Sequence, residues 1–224
     1  MKIVVSVGGS VLARALSPEK FRSYAAALKD ISQKNVVFIV TGGGKAARDY
    51  IGVARELGAD EATCDLIGIE LTRLNARLLI AALGDDAYYE PPRDYKEAKN
   101  ASFTGKIVVM GGVTPGQTTD AVSAVLAEYI GAELLINATA IDGVYTSDPK
   151  KNRDAKKFDS MTPHQLIEIV MKTEMVAGAN SPVDLLAAKI IERSNIKTIV
   201  LNGEDPQSIV DAVNGKHKGT VIGK

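Results

Sequence analysis

The sequence predicts an α/β protein whose sheet is mostly parallel and covered by helices on both faces. Short runs rich in valine and isoleucine alternate with longer helical patterns along the whole chain, the order that builds a parallel sheet with crossover helices. These runs are apolar at successive positions, as expected of strands buried on both sides. Three of them lead through glycine turns into helices: Gly8-Gly9-Ser10, Gly42-Gly43-Gly44, and Gly111-Gly112 running on to Gly116.

Taken in order, residues 3–7 read as a strand and 17–31 as a helix, with Ser17 at its N-cap and Pro18 in its first turn. Residues 36–40 read as the second strand and 45–57 as the next helix. Residues 60–83 predict a long helix, apolar at Leu66, Ile67, Ile69, Leu71, Leu74, Leu78 and Leu79. That surface is wider than one core-facing stripe requires, so the helix is either a central core element or a subunit interface as well. Residues 84–104, with Pro91-Pro92 and mixed charge, read as an irregular excursion near the substrate. A strand at 107–110, a helix at 119–130 and a strand at 134–138 follow. Asp142-Gly143 before Val144-Tyr145 predicts a small hairpin, and the lysine-rich stretch 147–157 a surface loop. Helices at 163–172 and 183–194, a strand at 198–201 and a helix at 206–213 close the pattern.

Composition narrows what such a fold does. The 224 residues, 46% hydrophobic and 24% charged, fit one globular unit or two closely packed lobes with a substantial core. Lysine plus arginine and aspartate plus glutamate each number 27, so the formal net charge is zero, which argues against generic attraction to nucleic acid or to an acidic membrane. Anions must then be bound by local groups. A single cysteine, Cys64, excludes an intramolecular disulfide, and no Cys/His spacing suggests structural zinc. No uncharged apolar run reaches membrane-spanning length, and the first strand is too short for a signal-peptide core, so a cytoplasmic location is the expectation.

A helix start exposes unpaired backbone N–H groups, and glycine lets the backbone close around an anion, so each glycine turn is a candidate phosphate cradle. Three cradles suit a nucleotide and a second phosphorylated ligand. Neither G-x-x-x-x-G-K-[ST] nor G-x-G-x-x-G after a strand occurs, which disfavours a Walker ATPase and a Rossmann dehydrogenase.

The first glycine turn, the run Thr-Gly-Gly-Gly-Lys-Ala-Ala-Arg at 41–48, the run Gly-Gly-Val-Thr-Pro-Gly-Gln-Thr-Thr-Asp at 111–120, and Asp-Gly-Val-Tyr-Thr-Ser-Asp-Pro at 142–149 together resemble the amino-acid-kinase superfamily. Within it the chain resembles the uridylate (UMP) kinases of archaeal type, over nearly its whole length. The resemblance implies a three-layer α/β/α sandwich, a single domain over residues 1–224, with about the first 130 residues mainly binding the acceptor and the remainder mainly binding ATP. It also implies transfer of the ATP γ-phosphoryl group to UMP with magnesium, giving UDP and ADP, and a homohexamer built as a trimer of dimers.

By the same resemblance, Gly9 and Ser10 contact the ATP phosphates, Gly43 contacts UMP, and Gly44 with Arg48 contacts ATP. Arg48 lies one helical turn beyond Gly44 and can reach back, its other reading being a solvated helix charge. Asp65 matches the acceptor-nucleotide contact: a carboxylate accepts hydrogen bonds from both hydroxyls of a ribose, which disfavours a deoxyribose. Val113, Thr114, Pro115, Gly116, Gln117, Thr118 and Thr119 match the loop that holds UMP, with Thr118 and Thr119 as its hydrogen-bonding residues. Asp120 matches an aspartate that in relatives organises the catalytic cations without itself taking a proton, and its alternative use is a helix N-cap. Thr139, Tyr145 and Asp148 match the nucleoside side of the ATP site, with Tyr145 against adenine. No residue is assigned to a resident metal.

The chain departs from bacterial relatives at two lysines. One, two residues before the Gly-Gly pair, is Ser6 here, and the other, before the aspartate-glycine turn, is matched by Ala140 or Ile141. The cationic work then falls to Arg48, Lys45, magnesium and backbone amides, since phosphoryl transfer needs positioned positive charge rather than one particular side chain. The missing lysines also suit a non-catalytic nucleotide-binding or storage protein, and another small-molecule kinase of the superfamily is a further alternative. The set Asp65, Thr118, Thr119 and Asp120 favours the UMP kinase. Cys64 reads as a packed residue and His164 and His217 as solvent-facing, none of them catalytic.

Overall fold

The computed structural model describes residues 1–14, 16–149, 151–174 and 183–223. Its strands are β1 (Lys2–Val7), β2 (Val36–Thr41), β3 (Val108–Met110), β4 (Leu134–Thr139), β5 (Ser160–Met161), β6 (Lys197–Asn202) and β7 (Thr220–Ile222). They form one seven-stranded sheet in the order β3-β2-β1-β4-β6-β7-β5. Every pairing is parallel except that of β6 with β7. The helices are α1 (Gly9–Leu12), α2 (Pro18–Ser32), α3 (Gly44–Glu56), α4 (Glu61–Leu83), α5 (Tyr95–Ser102), α6 (Thr119–Ile130), α7 (Pro163–Glu174), α8 (Leu185–Ser194) and α9 (Gln207–Val213).

Successive side chains of a strand point to opposite faces, so the continuous apolar runs supply two cores at once. Ile3, Val5 and Val7 of β1, with Val37 and Ile39 of β2 and Ile136 of β4, pack against α2, α4 and α9. Val4, Phe38, Val40 and Leu135 face the other way, against α5, α6, α7 and α8. Three layers result, as the resemblance implied. Burying an aliphatic side chain of this size is worth about 1.5–3 kcal/mol, which makes a polar residue on these strands a costly exception requiring a partner. Ser6 and Asn137 are two such exceptions, 2% and 4% exposed.

Helix boundaries follow local chemistry. Asp60 caps α4, its Oδ1 accepting from Thr63 N at 2.8 Å, and Thr118 caps α6 through Ala121 N at 3.1 Å. One face of α4, including Ile69, Ala76, Leu79 and Leu83, is buried, while Leu66, Leu74 and Leu78 are exposed. The wide apolar pattern of this helix therefore serves the core on one side only.

Three expectations change. The 84–104 segment is not wholly irregular: a 3-10 turn at Gly84–Asp86 precedes α5, which is capped by Asp94 and buries only Ala98 and Ala101. Its apolar period is too weak to have been read from the sequence. The hairpin is wider than an Asp142-Gly143 turn would make it. Tyr145 bridges Lys157, Thr146 N donates to Lys156 O and Phe158 N to Val144 O, so the connection is the polar stretch 147–155, of which residue 150 lies outside the described residues. The short strands β5 and β7 were not anticipated, because two or three residues carry no period.

Candidate active site

The sheet order reverses between β1 and β4, and the glycine turns open at the carboxyl ends of the strands flanking that point, where open α/β sheets bind ligands. Lateral hydrogen bonds tie these ends together: Gly8 N to Ala138 O and Gly42 N to Val7 O at 2.9 Å, and Gly203 N to Thr139 O at 2.8 Å. The first two turns are in direct backbone contact. A Cβ on Gly9 would lie 2.0 Å from Gly44 N, and Gly44 itself has φ +70°, so neither position accepts another residue without displacing the opposite turn. The starts of α1 and α3 thereby present their unpaired N–H groups side by side, Gly9 and Ser10 from one, Gly43 and Gly44 from the other.

Asp120 stands in the first turn of α6, beyond the capping Thr118, and is not an N-cap. Its Oδ1 accepts from Ser6 Oγ at 3.1 Å, and Asn137 supplies a second hydrogen bond. Ser6 and Asn137 are paired neighbours on β1 and β4, which explains why both polar residues survive in those strands. Burial, and then the charge of Asp184, push the Asp120 carboxyl up to about 6 against the opposing pull of these two donors. Asp184 caps α8 through Ala187 N at 2.9 Å and also accepts the hydroxyl of Thr118. Two carboxylates thus face one another beside the first turn of α6. Ser6 is thereby committed to Asp120.

The loop from Val113 to Thr119 is held from two sides. Asp65 Oδ2 accepts from Gly116 N at 2.8 Å, and Tyr95 of α5 donates to Gln117 Oε1 at 3.0 Å. Asp65 therefore anchors the loop through one oxygen, a use not foreseen from sequence. Thr114, Pro115 and Gly116 are exposed at the loop's tip. Thr118 is taken up by α6 and Asp184, and Thr119 is half-buried at the start of α6.

On the other side of β4, Tyr145 donates to Asp142 Oδ1 at 2.7 Å and Lys157 pairs with Asp142 Oδ2 at 3.2 Å. Partial burial works against ionisation of Asp142, yet these two donors hold its carboxyl below the usual range. Thr139 ends β4 and Asp148 begins the loop, its carbonyl accepting from Asn152 N at 2.9 Å. A cavity of about 300 Å³ opens beside this hairpin, lined by Asp142, Lys157, Asn202, Ser208, Lys216 and His217 among others. His217 is only half-exposed, with Nδ1 buried, whereas His164 is solvent-facing as expected and lies 3.2 Å from Glu192. The larger cavity, of about 640 Å³, lies around residues 88–104 and contains none of the expected site residues.

Gly9, Ser10, Gly43, Gly44 and Asp120 thus gather at one end of the sheet, with Asp65 and its loop on one flank and Thr139, Tyr145 and Asp148 on the other. Arg48 and Lys45 are both exposed on α3, and neither has an ion pair among the described residues. Sequence reasoning missed Asp184, Asn137, Thr72 and Asn75. Asn137 was legible as a polar break in an apolar strand, and Asp184 as an aspartate opening an apolar helical run.

The chain matches the Amino acid kinase family over residues 1–202, and it belongs to that family. Particular relatives are narrower in kind. A uridylate kinase of Methanococcoides burtonii is 60% identical over 213 residues, 95% of this chain and 91% of the relative. One from Halobacterium salinarum is 55% identical over 224 residues, 99% of this chain and 93% of the relative. Among solved structures, the uridylate kinase of Archaeoglobus fulgidus superposes with a TM-score of 0.91 at 53% identity, covering 99% of this chain and all of that one. The UMP kinase of Ureaplasma parvum does so with a TM-score of 0.84 at 26% identity, covering 100% of this chain and 99% of that one.

Proposed function

We propose that the chain is a nucleoside monophosphate kinase that moves the γ-phosphoryl group of ATP to UMP. An oxygen of the UMP phosphate forms the new P–O bond, the bond from the γ-phosphorus to the β,γ-bridging oxygen breaks, and UDP and ADP leave. The observation that carries the reading is the backbone contact of Gly9 with Gly44. It sets two anion cradles against each other at a topological switch point, with a carboxylate beside them. Identity of 60% with a uridylate kinase along 95% of the chain supports UMP as the acceptor.

Within this reading Gly9 and Ser10 hold ATP phosphates, Gly44 and Arg48 steady the migrating group, and Gly43 with the 113–119 loop holds UMP. Thr139, Tyr145 and Asp148 line the ATP nucleoside. Asp65 keeps Gly116 in place through Oδ2 and offers Oδ1 to the acceptor's ribose. Asp120 orients cationic groups across the transfer line and takes no proton. Magnesium enters with ATP, where it offsets phosphate charge. Phosphate oxygens would supply most of its ligands, with the Asp120 carboxylate as a further oxygen donor.

A homohexamer is the proposed assembly, supported by the exposed Leu66, Leu74 and Leu78 of α4 beside Tyr50, Val53 and Leu57 of α3. A cytoplasmic setting agrees with the buried, unpaired Cys64. Among the described residues no helix is long and apolar enough to cross a membrane. A coupled ADP-release assay with Mg-ATP tests the reading. UMP is expected to be the preferred acceptor, and turnover with another monophosphate but none with UMP overturns it.

A further inference from the structure

Thr72 and Asn75 are the buried polar residues of α4, 7% and 6% exposed, on a face otherwise made of residues such as Ile69, Ala76 and Leu79. An apolar side chain would pack there at no desolvation cost, so each polar group is explained only by what it bonds. Both bond the glycine turns. Thr72 Oγ1 donates to Ile69 O at 2.6 Å within its own helix, which leaves its lone pairs to accept Gly112 N at 2.7 Å. Asn75 Nδ2 donates to Gly42 O at 2.7 Å. The strand ends are tied to the same helical turn, since Thr41 Oγ1, at the end of β2, donates to Thr72 O at 2.9 Å and lies 3.3 Å from Met110 O of β3. The fit has no slack: a Cβ on Gly111 would lie 2.4 Å from Thr72 Oγ1.

We infer that Thr72 and Asn75 are positioning residues that fix the Gly42–Gly44 turn relative to the Gly111–Gly112 turn. In doing so they set the spacing between the Gly42–Gly44 turn, which meets both nucleotides, and the rest of the acceptor's loop, while touching neither nucleotide. The inference rests on the reading that these turns hold ATP and UMP. One rigid helix bonded to both turns converts two flexible connections into a fixed distance. In-line transfer needs that, because a misplacement of about 1 Å costs on the order of 10² in rate.

The test compares Thr72→Val, which keeps the side-chain shape but leaves Gly112 N–H without its acceptor, with Thr72→Ser, which keeps the hydroxyl. Thr72→Val is expected to lower kcat with UMP at least about tenfold while the KM for ATP stays within about twofold, and Thr72→Ser to restore most of the loss. Asn75→Leu is expected to lower kcat similarly, and it carries the test if Thr72→Val does not fold. Deuterium exchange of the 108–118 peptide, measured without nucleotide, should be faster in Thr72→Val and parent-like in Thr72→Ser. A role in stability alone would lower the melting temperature of the folded variants and leave their kcat intact, and that result overturns the inference. So does unchanged exchange in Thr72→Val. If the parent itself fails to phosphorylate UMP, the functional reading fails, while the exchange comparison still decides whether Thr72 holds the turn.

Discussion

Asp120 is a carboxylate held against its own preference. Burial, and then repulsion from Asp184, raise its carboxyl to about 6 from an ordinary value of 3.8. A folded-state value above the unfolded one means that the native state binds the proton more tightly. The stabilisation this gives is fully present below about pH 4 and is lost as pH rises through about 6, so at pH 8 the ionised group works against the fold. A shift of about two units at 1.36 kcal/mol each puts the penalty at roughly 3 kcal/mol, an upper figure because Asp120 keeps part of its surface exposed to solvent. Asp120→Asn removes the charge and keeps an oxygen to accept from Ser6. For a chain of this size 1 kcal/mol moves Tm by about 2–4 °C, so the variant should melt roughly 5–10 °C above the parent at pH 8 without nucleotide or magnesium. At pH 4 the two should nearly coincide. The same variant should lose kcat by roughly 10² or more, with nucleotide KM values within a few-fold, because the charge acts mainly in the transition state. Scanning fluorimetry across pH at fixed protein concentration, paired with the coupled assay, measures both. An Asp120→Asn protein that melts at or below the parent at pH 8, or that turns over as fast, refutes the reasoning.

Arg48→Ala should cost about 3 kcal/mol of transition-state stabilisation, on the order of 10² in kcat/KM at saturating magnesium, with Arg48→Lys recovering only part, since lysine cannot grip two phosphate oxygens. Parent-like turnover would move the cationic role to Lys45. Asp65→Ala frees Gly116 N–H and removes the ribose acceptor, so the KM for UMP should rise roughly 10-fold to 100-fold while that for ATP holds; equal rises in both would contradict its placement. Light scattering at micromolar concentration should show an assembly larger than a dimer, and a monomer would refute the interface on α3 and α4.

The layers of this fold were legible because two-sided burial writes itself as consecutive apolar residues, as in Ile3-Val4-Val5, and because caps such as Asp60 and Thr118 mark helix starts. The glycine turns were legible for a related reason: the close approach of Gly9 to Gly44 permits no side chain. What was hidden depends on partners far apart in the chain. Asp65 and Gly116 are 51 residues apart, and Thr72 and Gly112 are 40 apart, so the hold of Asp65 and Thr72 on the loop could not be read until the loop was placed. Asp184 could be read as a cap, but its nearness to Asp120 follows from the packing of α8 beside α6. Helix α5 buries two alanines and leaves too faint a period to distinguish it from a loop.

The central claim is that this chain transfers a phosphoryl group to one acceptor nucleotide. Its most direct measurement is ADP release from Mg-ATP by the purified parent with UMP, CMP, AMP, GMP and dUMP compared at equal concentration. UMP should give the highest kcat/KM, with UDP as the product. Binding of ATP without ADP release on adding UMP, or faster turnover with a purine monophosphate, would contradict it.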